Sequence, residues 1–381
     1  MEKQVYRKLK NNFVVFGVLS FAVFFVFSAT CGAYVPDYTE GGHLETDFGV
    51  NFMAEWWYLN GKAVLVAEDG EKKDVGFFVV FAHQESPMIN DSGIQLSHLL
   101  NFHGLYCEDG TTEFEYEETY ILQYVVGNYI ALHTPYVDYE YPGGKKRLYG
   151  AARKGYHLKY LSENMTLDLS FKPKVRKTVD QANNPLNFTT YERSYGKLKG
   201  SIILHGKRYK VTRAEGYMDH MIPLSKGPWP MDMHGWSWFE VTTKKYQAVL
   251  YAVRGLDDGY GEYSYTHLTI LKRHSGKVIV EYSGDEINII ESDWINETFY
   301  NRKRPSIVTV STDDGTIVSV GAELLNYFDT PTDEPAGFVD FMAYQPSGAV
   351  IRYMGGKTET GSSFSEYLVS DYGVIYPYLS G

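Results

Sequence analysis

The chain has 381 residues, of which 44% are hydrophobic, 22% charged and 16% aromatic, and its formal net charge is −11. A chain of this length is longer than a single hydrophobic core usually accommodates, and it is about right for two domains. The basic residues form no long stripe, and because phosphate binding needs clustered Lys and Arg, we expect no nucleic-acid partner.

The first 33 residues are predicted to be a targeting segment. Four basic residues, Lys3 to Lys10, precede an uncharged stretch at 13–33 whose strongly apolar part has signal-peptide length. The alternative is an uncleaved membrane anchor, because the stretch approaches the length that spans a bilayer. In both cases we expect the remainder to be exported, extracellular or at the cell surface. Membrane contact is then expected only through this segment, and only if it stays uncleaved.

The two cysteines, Cys31 and Cys107, do not indicate a disulfide-stabilised fold. If the segment is cleaved after Ala33, Cys107 has no intramolecular partner. The domains must therefore be stabilised by large hydrophobic cores.

After Ala33 the sequence predicts short strands separated by turns. The 33 tyrosines favour strands, and β-branched and aromatic residues concentrate at 75–83, 94–106, 246–255, 277–282 and 337–344. Turn dipeptides separate the segments: Asp69-Gly70, Asp109-Gly110, Gly143-Gly144, Asp258-Gly259, Ser275-Gly276, Asp314-Gly315 and Ser347-Gly348. No long amphipathic helix competes with this pattern, which indicates antiparallel sheets closed as barrels or packed as sandwiches.

A faint internal repeat divides the chain. The segment EWWYLNGK at 55–62 is echoed by GWSWFEVTTK at 235–244, and in each a pair of aromatic residues two positions apart would share one strand face. We therefore predict two β-domains, at 34–222 and 235–381. The join, 222–234, contains three prolines that cannot continue a central ladder.

Three motifs in order resemble the hydroxyneurosporene synthase (carotenoid hydratase, CrtC) and AttH-like family. They are EWWYLNG at 55–61, GYMDHM at 216–221 and GWSWFEV at 235–241. The resemblance extends from about residue 48 onward. It implies an all-β fold of two tandem lipocalin-like antiparallel β-barrels, the first of CrtC N-terminal type. The family includes hydratases that act on polyenes and relatives that guide pericyclic cyclisations. This chain departs from many relatives after the Asp-His pair, where MIP at 221–223 replaces a short Gln/Ser-Trp-Gly.

Asp219 and His220 are the candidate catalytic residues. On a strand, Tyr217 and Asp219 would point to one side and His220 to the other. If Asp219 faces an aromatic cavity, desolvation raises its pKa. The protonated acid could then protonate a carbon–carbon double bond, and aromatic faces would stabilise the cation. The resemblance to carotenoid hydratases implies such an acid in this segment. The alternative is that Asp219 caps a turn by bonding backbone N–H groups and that His220 is a structural histidine between the two domains.

The candidate substrate-binding residues are mostly aromatic: Trp56, Trp57, Tyr58, His83, Tyr217, Trp236 and Trp238. The tryptophans near the strand starts could instead plug the barrels. His83 ends an apolar strand, where it could act as a base or be a rim histidine bonded to backbone. No cluster has zinc-ligand spacing, and there is no nucleophile elbow, P-loop or dinucleotide fingerprint. We therefore expect neither a metal nor a cofactor.

The leading hypothesis is an enzyme, a lyase (hydratase) or isomerase. It would act on an apolar small molecule, such as an isoprenoid, polyene or lipid, by cofactor-free hydration, isomerisation or cyclisation. One alternative is a non-catalytic carrier of a lipid or isoprenoid, which needs only an open apolar cavity. A second alternative is a structural surface protein. This alternative predicts that side chains fill the interiors of both barrels.

Overall fold

A computed structural model describes residues 40–49, 53–89, 95–110, 112–174, 177–180, 189–223, 233–297, 302–329 and 338–370. Within these ranges the chain forms strands almost throughout, one short α-helix and two 3₁₀ helices. The predicted targeting segment, 1–33, lies outside them. Among the residues covered, no helix has both the length and the apolar character needed to span a membrane.

The helices are α1 (Glu45–Phe48) and the 3₁₀ turns Gln123–Asn128 and Gly284–Glu286. The strands of the first half are β1 (Met53–Ala67), β2 (Lys72–Ile89), β3 (Gln95–Cys107), β4 (Thr112–Leu122), β5 (Val137–Glu140), β6 (Lys146–Ala151), β7 (Gly155–Leu161), β8 (Met165–Pro173), β9 (Lys177–Asp180), β10 (Thr189–Leu204) and β11 (Lys207–Ile222). Those of the second half are β12 (Gly235–Thr243), β13 (Tyr246–Arg254), β14 (Tyr265–Lys272), β15 (Lys277–Ser283), β16 (Ile287–Glu297), β17 (Arg302–Thr312), β18 (Ile317–Gly321), β19 (Leu324–Asp329), β20 (Phe338–Arg352) and β21 (Glu359–Ser370).

The strands form two antiparallel sheets, one from each half of the chain. The first has the order β4-β3-β2-β1-β11-β10-β8-β7-β6-β5, with β9 paired to β10. The second has the order β15-β14-β13-β12-β21-β20-β18-β17-β16, with β19 paired to β20. Each sheet curls around its own core, so the predicted all-β class of two tandem lipocalin-like barrels is confirmed. The division into separately folding domains at 34–222 and 235–381 stays a prediction.

The predicted strands agree with the structure, and one predicted turn does not. The five predicted segments correspond to β2, β3, β13, β15 and β20. Ser347-Gly348 lies inside β20, where the pairing with β21 shifts register between Gln345 and Ala349. Gly348 has a φ of 95°, so the dipeptide forms a bulge rather than a hairpin turn.

The three largest cores among the described residues result from the alternation of side chains along the strands. The first barrel encloses Trp57, Leu59 and Phe77 among others, and the second encloses residues such as Phe239 and Val310. A third core lies between the two sheets and takes side chains from both: Tyr58, Phe78, Tyr106, Tyr217, Trp238, Tyr251, Met342 and Tyr344. The opposite faces of β1 and β11 therefore lie in two different environments.

Candidate active site

Asp219 and His220 lie on opposite faces of β11. In the ladder between β1 and β11, Asp219 pairs with Tyr58 and His220 pairs with Trp57. Asp219 and Tyr58 face the core between the sheets, whereas His220 and Trp57 face the interior of the first barrel. The prediction that the strand separates the two side chains is confirmed. They therefore cannot act on the same substrate atom.

An aromatic pocket surrounds Asp219 between the two sheets. Its volume is about 40 Å³, which is enough for a water molecule. Its wall includes Trp56 and Tyr58 from β1 and Trp236 and Trp238 from β12. The Trp238 ring lies 5.4 Å from Tyr58, and the Trp56 ring lies 6.1 Å from Trp236, measured between centroids. Most of this wall is buried, but Trp56 and Trp236 are partly exposed.

Two tyrosines hold one oxygen of the Asp219 carboxyl group. The hydroxyls of Tyr217 and Tyr251 donate to Oδ2 at 2.8 and 3.2 Å. The other oxygen, Oδ1, has no hydrogen-bond partner among the residues the structure describes. Only 4% of Asp219 is exposed, and burial raises its pKa to about 7, although the two tyrosine hydrogen bonds act in the opposite direction. Protonated and ionised forms are therefore both populated near neutral pH, which suits a general acid.

Two carboxyl groups of the second sheet interact with one another, and one of them lines the pocket of Asp219. Asp340 on β20 is buried, and its Oδ1 also lacks a partner within the described ranges. Glu366 on β21 is partly exposed and lines the same pocket as Asp219. Burial raises the pKa of both groups, and the charges of Asp340 and Asp219 raise that of Glu366 further. The pocket therefore favours carboxyl groups in their protonated form.

A second polar site, the Glu55 cluster, lies inside the first barrel. It comprises Glu55, His43, His83, Glu85 and His220, all buried. Oε1 of Glu55 lies 2.8 Å from Nδ1 of His43 and 2.6 Å from Nε2 of His220. Its Oε2 lies 2.7 Å from Nε2 of His83, whose Nδ1 lies 3.1 Å from Glu85. Glu55, the first residue of the EWWY motif, is therefore the centre of this cluster.

The electrostatics of the Glu55 cluster result from competition between burial and pairing. Burial opposes ionisation of Glu55, but the neighbouring imidazoles of His43 and His220 lower its pKa well below the ordinary value. Burial also opposes protonation of His83, yet its two carboxylate partners raise its pKa to about 9. Burial lowers the pKa of His220 despite Glu55. His83 is thus an imidazolium at neutral pH.

The structure divides the predicted substrate-binding residues between these two sites. Five of them surround Asp219: Trp56, Tyr58, Tyr217, Trp236 and Trp238. Trp57 and His83 lie instead inside the first barrel, where the Trp57 ring stacks 4.6 Å from His220 and 6.1 Å from His83. His83 bonds to two carboxylates rather than to backbone at a rim. Trp57 is 1% exposed, so it fills the barrel interior in place of Trp56.

Sequence reasoning missed four acidic residues of the two sites, Glu55, Glu85, Asp340 and Glu366, and it also missed His43. Glu55 opens the EWWY motif, and Asp340 is the one charged residue of the predicted strand 337–344. Glu366 interrupts the apolar end of β21. A charged residue in an otherwise apolar strand was the signal that could have identified Asp340.

Comparison with known proteins confirms the fold. No protein-family model and no curated protein matches the chain. A solved structure of a candidate AttH from Nitrosomonas europaea is 16% identical, with a TM-score of 0.56 over 86% of this chain and 94% of that one. CghA with Sch210972, and kievitone hydratase from Nectria haematococca, are each 11% identical, with TM-scores of 0.53 over 84% of this chain and 89% of theirs.

At these identities the likeness shows a shared fold. The two-barrel architecture implied by the AttH-like and hydratase resemblance is therefore that of this chain. The reaction must be argued from the residues of the pocket, because one fold hosts many functions.

Proposed function

We propose that this protein binds an apolar small molecule between its two sheets and transforms it by acid–base chemistry, with Asp219 as the proton donor. The proposal rests on the position of the Asp219 carboxyl group. A buried carboxyl group lines an aromatic pocket, and its Oδ1 has no protein partner within the described residues. The hydratase among the proteins of similar fold supports a hydration, isomerisation or cyclisation by analogy.

The proposed first step needs no group beyond the acid and the substrate. The Oδ1–H bond of Asp219 breaks, and the proton forms a C–H bond with one carbon of a double bond, using the π electrons. The other carbon becomes a cation. Tyr217 and Tyr251 stabilise the resulting carboxylate through their hydrogen bonds to Oδ2. The rings of Trp236 and Trp238 on the pocket wall would stabilise the cation.

The second step decides the product. Addition of water to the cation forms a C–O bond, and the released proton returns to Asp219, which completes a hydration. Loss of a neighbouring proton to the carboxylate completes an isomerisation instead. Attack by an internal double bond closes a ring and moves the cation to a new carbon, which then loses a neighbouring proton to the carboxylate. All three routes regenerate the acid, so the proposal requires no cofactor.

Ligand entry requires the pocket to widen. Its volume of about 40 Å³ is far below the roughly 300–1,000 Å³ of typical ligand sites. Trp56 and Trp236 are the partly exposed aromatic residues of the wall. We propose that these two rings separate when the apolar ligand enters.

The two alternative functions are a carrier, which would use the same pocket, and a structural surface protein, which would need no pocket. The interiors of both barrels hold buried side chains, so a carrier of a lipid or isoprenoid would also use the space between the sheets. Filled barrels agree with a structural surface protein, but such a protein has no need for a buried, partly protonated acid in a pocket. Export, with membrane contact only through 1–33 if uncleaved, remains part of the proposal.

Deuterium labelling distinguishes the enzyme from the carrier. Native mass spectrometry of protein purified from its own host identifies the co-purified ligand, which is then incubated with the protein in D₂O. We expect a product that carries deuterium on carbon, because the proton of Asp219 exchanges with solvent. Recovery of the ligand unchanged would favour the carrier. A product without carbon-bound deuterium would contradict the proposed proton transfer.

A further inference from the structure

The Glu55 cluster brings together three metal-ligand atoms inside the first barrel. Nδ1 of His43, Oε1 of Glu55 and Nε2 of His220 lie within 4.8 Å of one another, and all three residues are buried. They come from separate parts of the chain: the segment before α1, β1 and β11. Glu55 is 12 positions from His43 and 165 from His220. The short spacing sought in the sequence could not reveal such a set.

The ligand atoms need only a small displacement to surround an ion. The two nitrogens lie 2.8 and 2.6 Å from the same carboxylate oxygen. In a tetrahedral site with bonds of about 2.0–2.1 Å, neighbouring ligand atoms are about 3.3 Å apart. Each nitrogen must therefore move roughly 0.5–0.7 Å away from Oε1 of Glu55 to make room for the ion. The Trp57 ring, stacked 4.6 Å from His220, holds that imidazole in its orientation.

Further buried acidic residues surround the three ligand atoms. Glu55 and Glu85 lie on either side of the His83 imidazole. Gln123 then connects Glu85 to a third acidic residue, Glu45, through contacts of 3.1 and 2.7 Å. Glu45 is only 7% exposed. Because buried charges are normally paired or coordinate metals, a divalent cation would balance this group.

We propose that Glu55, His43 and His220 bind one divalent transition-metal ion, with Zn²⁺ as the expected occupant. Two imidazoles and one carboxylate form a donor set that zinc accepts when a fourth position stays open to water. His83 contacts the other oxygen of Glu55 and reaches Glu85 with its second nitrogen. It would orient the ligating carboxylate, as outer partners commonly do. The proposal is independent of the function assigned to Asp219.

Two substitutions separate metal binding from simple hydrogen bonding. In His43→Asn the amide nitrogen takes the place of Nδ1, and in His220→Gln it takes the place of Nε2. Both variants can still donate to Glu55, but they lose the imidazole ligand. The control is His98→Gln, because His98 pairs with Glu118 outside the cluster at 2.8 Å.

The experiment uses the full chain, stripped with a chelator and then titrated with Zn²⁺ alone. Elemental mass spectrometry after dialysis counts zinc per chain, and Co²⁺ substitution reports on the ligands by its visible spectrum. We expect about one zinc per chain for the wild type and for His98→Gln. Affinity should fall by at least a factor of about 10–100 in His43→Asn and His220→Gln. Circular dichroism checks that each variant folds.

The wild-type measurements keep the proposal testable if both cluster variants fail to fold. A stoichiometry near zero, or a Co²⁺ spectrum of the fully hydrated ion, would overturn it. Zinc affinity unchanged in both folded variants would overturn it as well. Asp219→Asn should bind zinc like the wild type, since its side chain faces the other side of β11. Wild-type turnover in Asp219→Asn with zinc binding intact would therefore contradict the proposed function and leave the metal site standing.

Discussion

Replacing Asp219 with Asn should remove a large part of the pH dependence of stability. The pKa of Asp219 is raised by burial from the ordinary 3.8 to about 7. A raised pKa means that the protonated acid stabilises the fold below the ordinary value, and that this stability is lost as pH rises through the folded value. The gap of about three pKa units corresponds to about 4 kcal/mol between pH 4 and pH 8. Asn is uncharged throughout, so the variant lacks this loss.

Urea unfolding followed by tryptophan fluorescence from pH 4 to pH 9 tests this reasoning. The free energy of unfolding of Asp219→Asn, relative to wild type, should rise by up to about 4 kcal/mol across the range. Any constant cost of the amide cancels in this comparison. Glu366 adds to the expected rise, because its pKa is no longer raised by the charge of Asp219 in the variant. The control is Asp168→Asn, because Asp168 is exposed on β8. Parallel pH profiles for wild type and Asp219→Asn would show that burial does not shift this carboxyl group.

Three other predictions concern the join, the first barrel and the tyrosine pair. Limited proteolysis should cut preferentially within 222–234 and yield fragments of about half size; cooperative unfolding without such fragments would argue against separate domains. Trp57→Ala should cost about 3–5 kcal/mol in urea unfolding, and Trp56→Ala less than half of that, since Trp56 is partly exposed; equal costs would contradict the assigned orientations. Tyr217→Phe removes a hydrogen bond that lowers the pKa of Asp219, so the alkaline limit of activity should move to higher pH by roughly 0.5–1 unit; an unchanged or lower limit would contradict it.

The periodicity of single strands made part of the site predictable. Alternation along 216–221 correctly separated Asp219 from His220, and the paired aromatics of the two repeats correctly placed Trp56 with Tyr58 and Trp236 with Trp238. Alternation assigns residues to one face or the other, but it does not tell which core a face meets. For this reason the sequence could not distinguish Trp57, which fills the first barrel, from Trp56, which faces the second sheet.

Long-range pairing explains the residues that sequence reasoning missed. The Glu55 cluster depends on the ladder between β1 and β11, which joins Glu55 to a histidine 165 positions away. Glu366 lines the pocket of Asp219 only because the two sheets pack face to face. Neither arrangement leaves a short motif, since contacts between distant strands are set by topology rather than by local spacing.

The most direct test of the central claim is the turnover of the co-purified ligand by Asp219→Asn. The substitution keeps the shape of the side chain and removes the acidic proton. Loss of general acid catalysis lowers a rate by a factor of about 100–10,000. We therefore expect a loss of this size in Asp219→Asn, with the ligand still retained in native mass spectrometry and with Asp168→Asn unaffected. A folded Asp219→Asn protein that turns over the ligand at the wild-type rate would contradict the assignment of Asp219 as the proton donor.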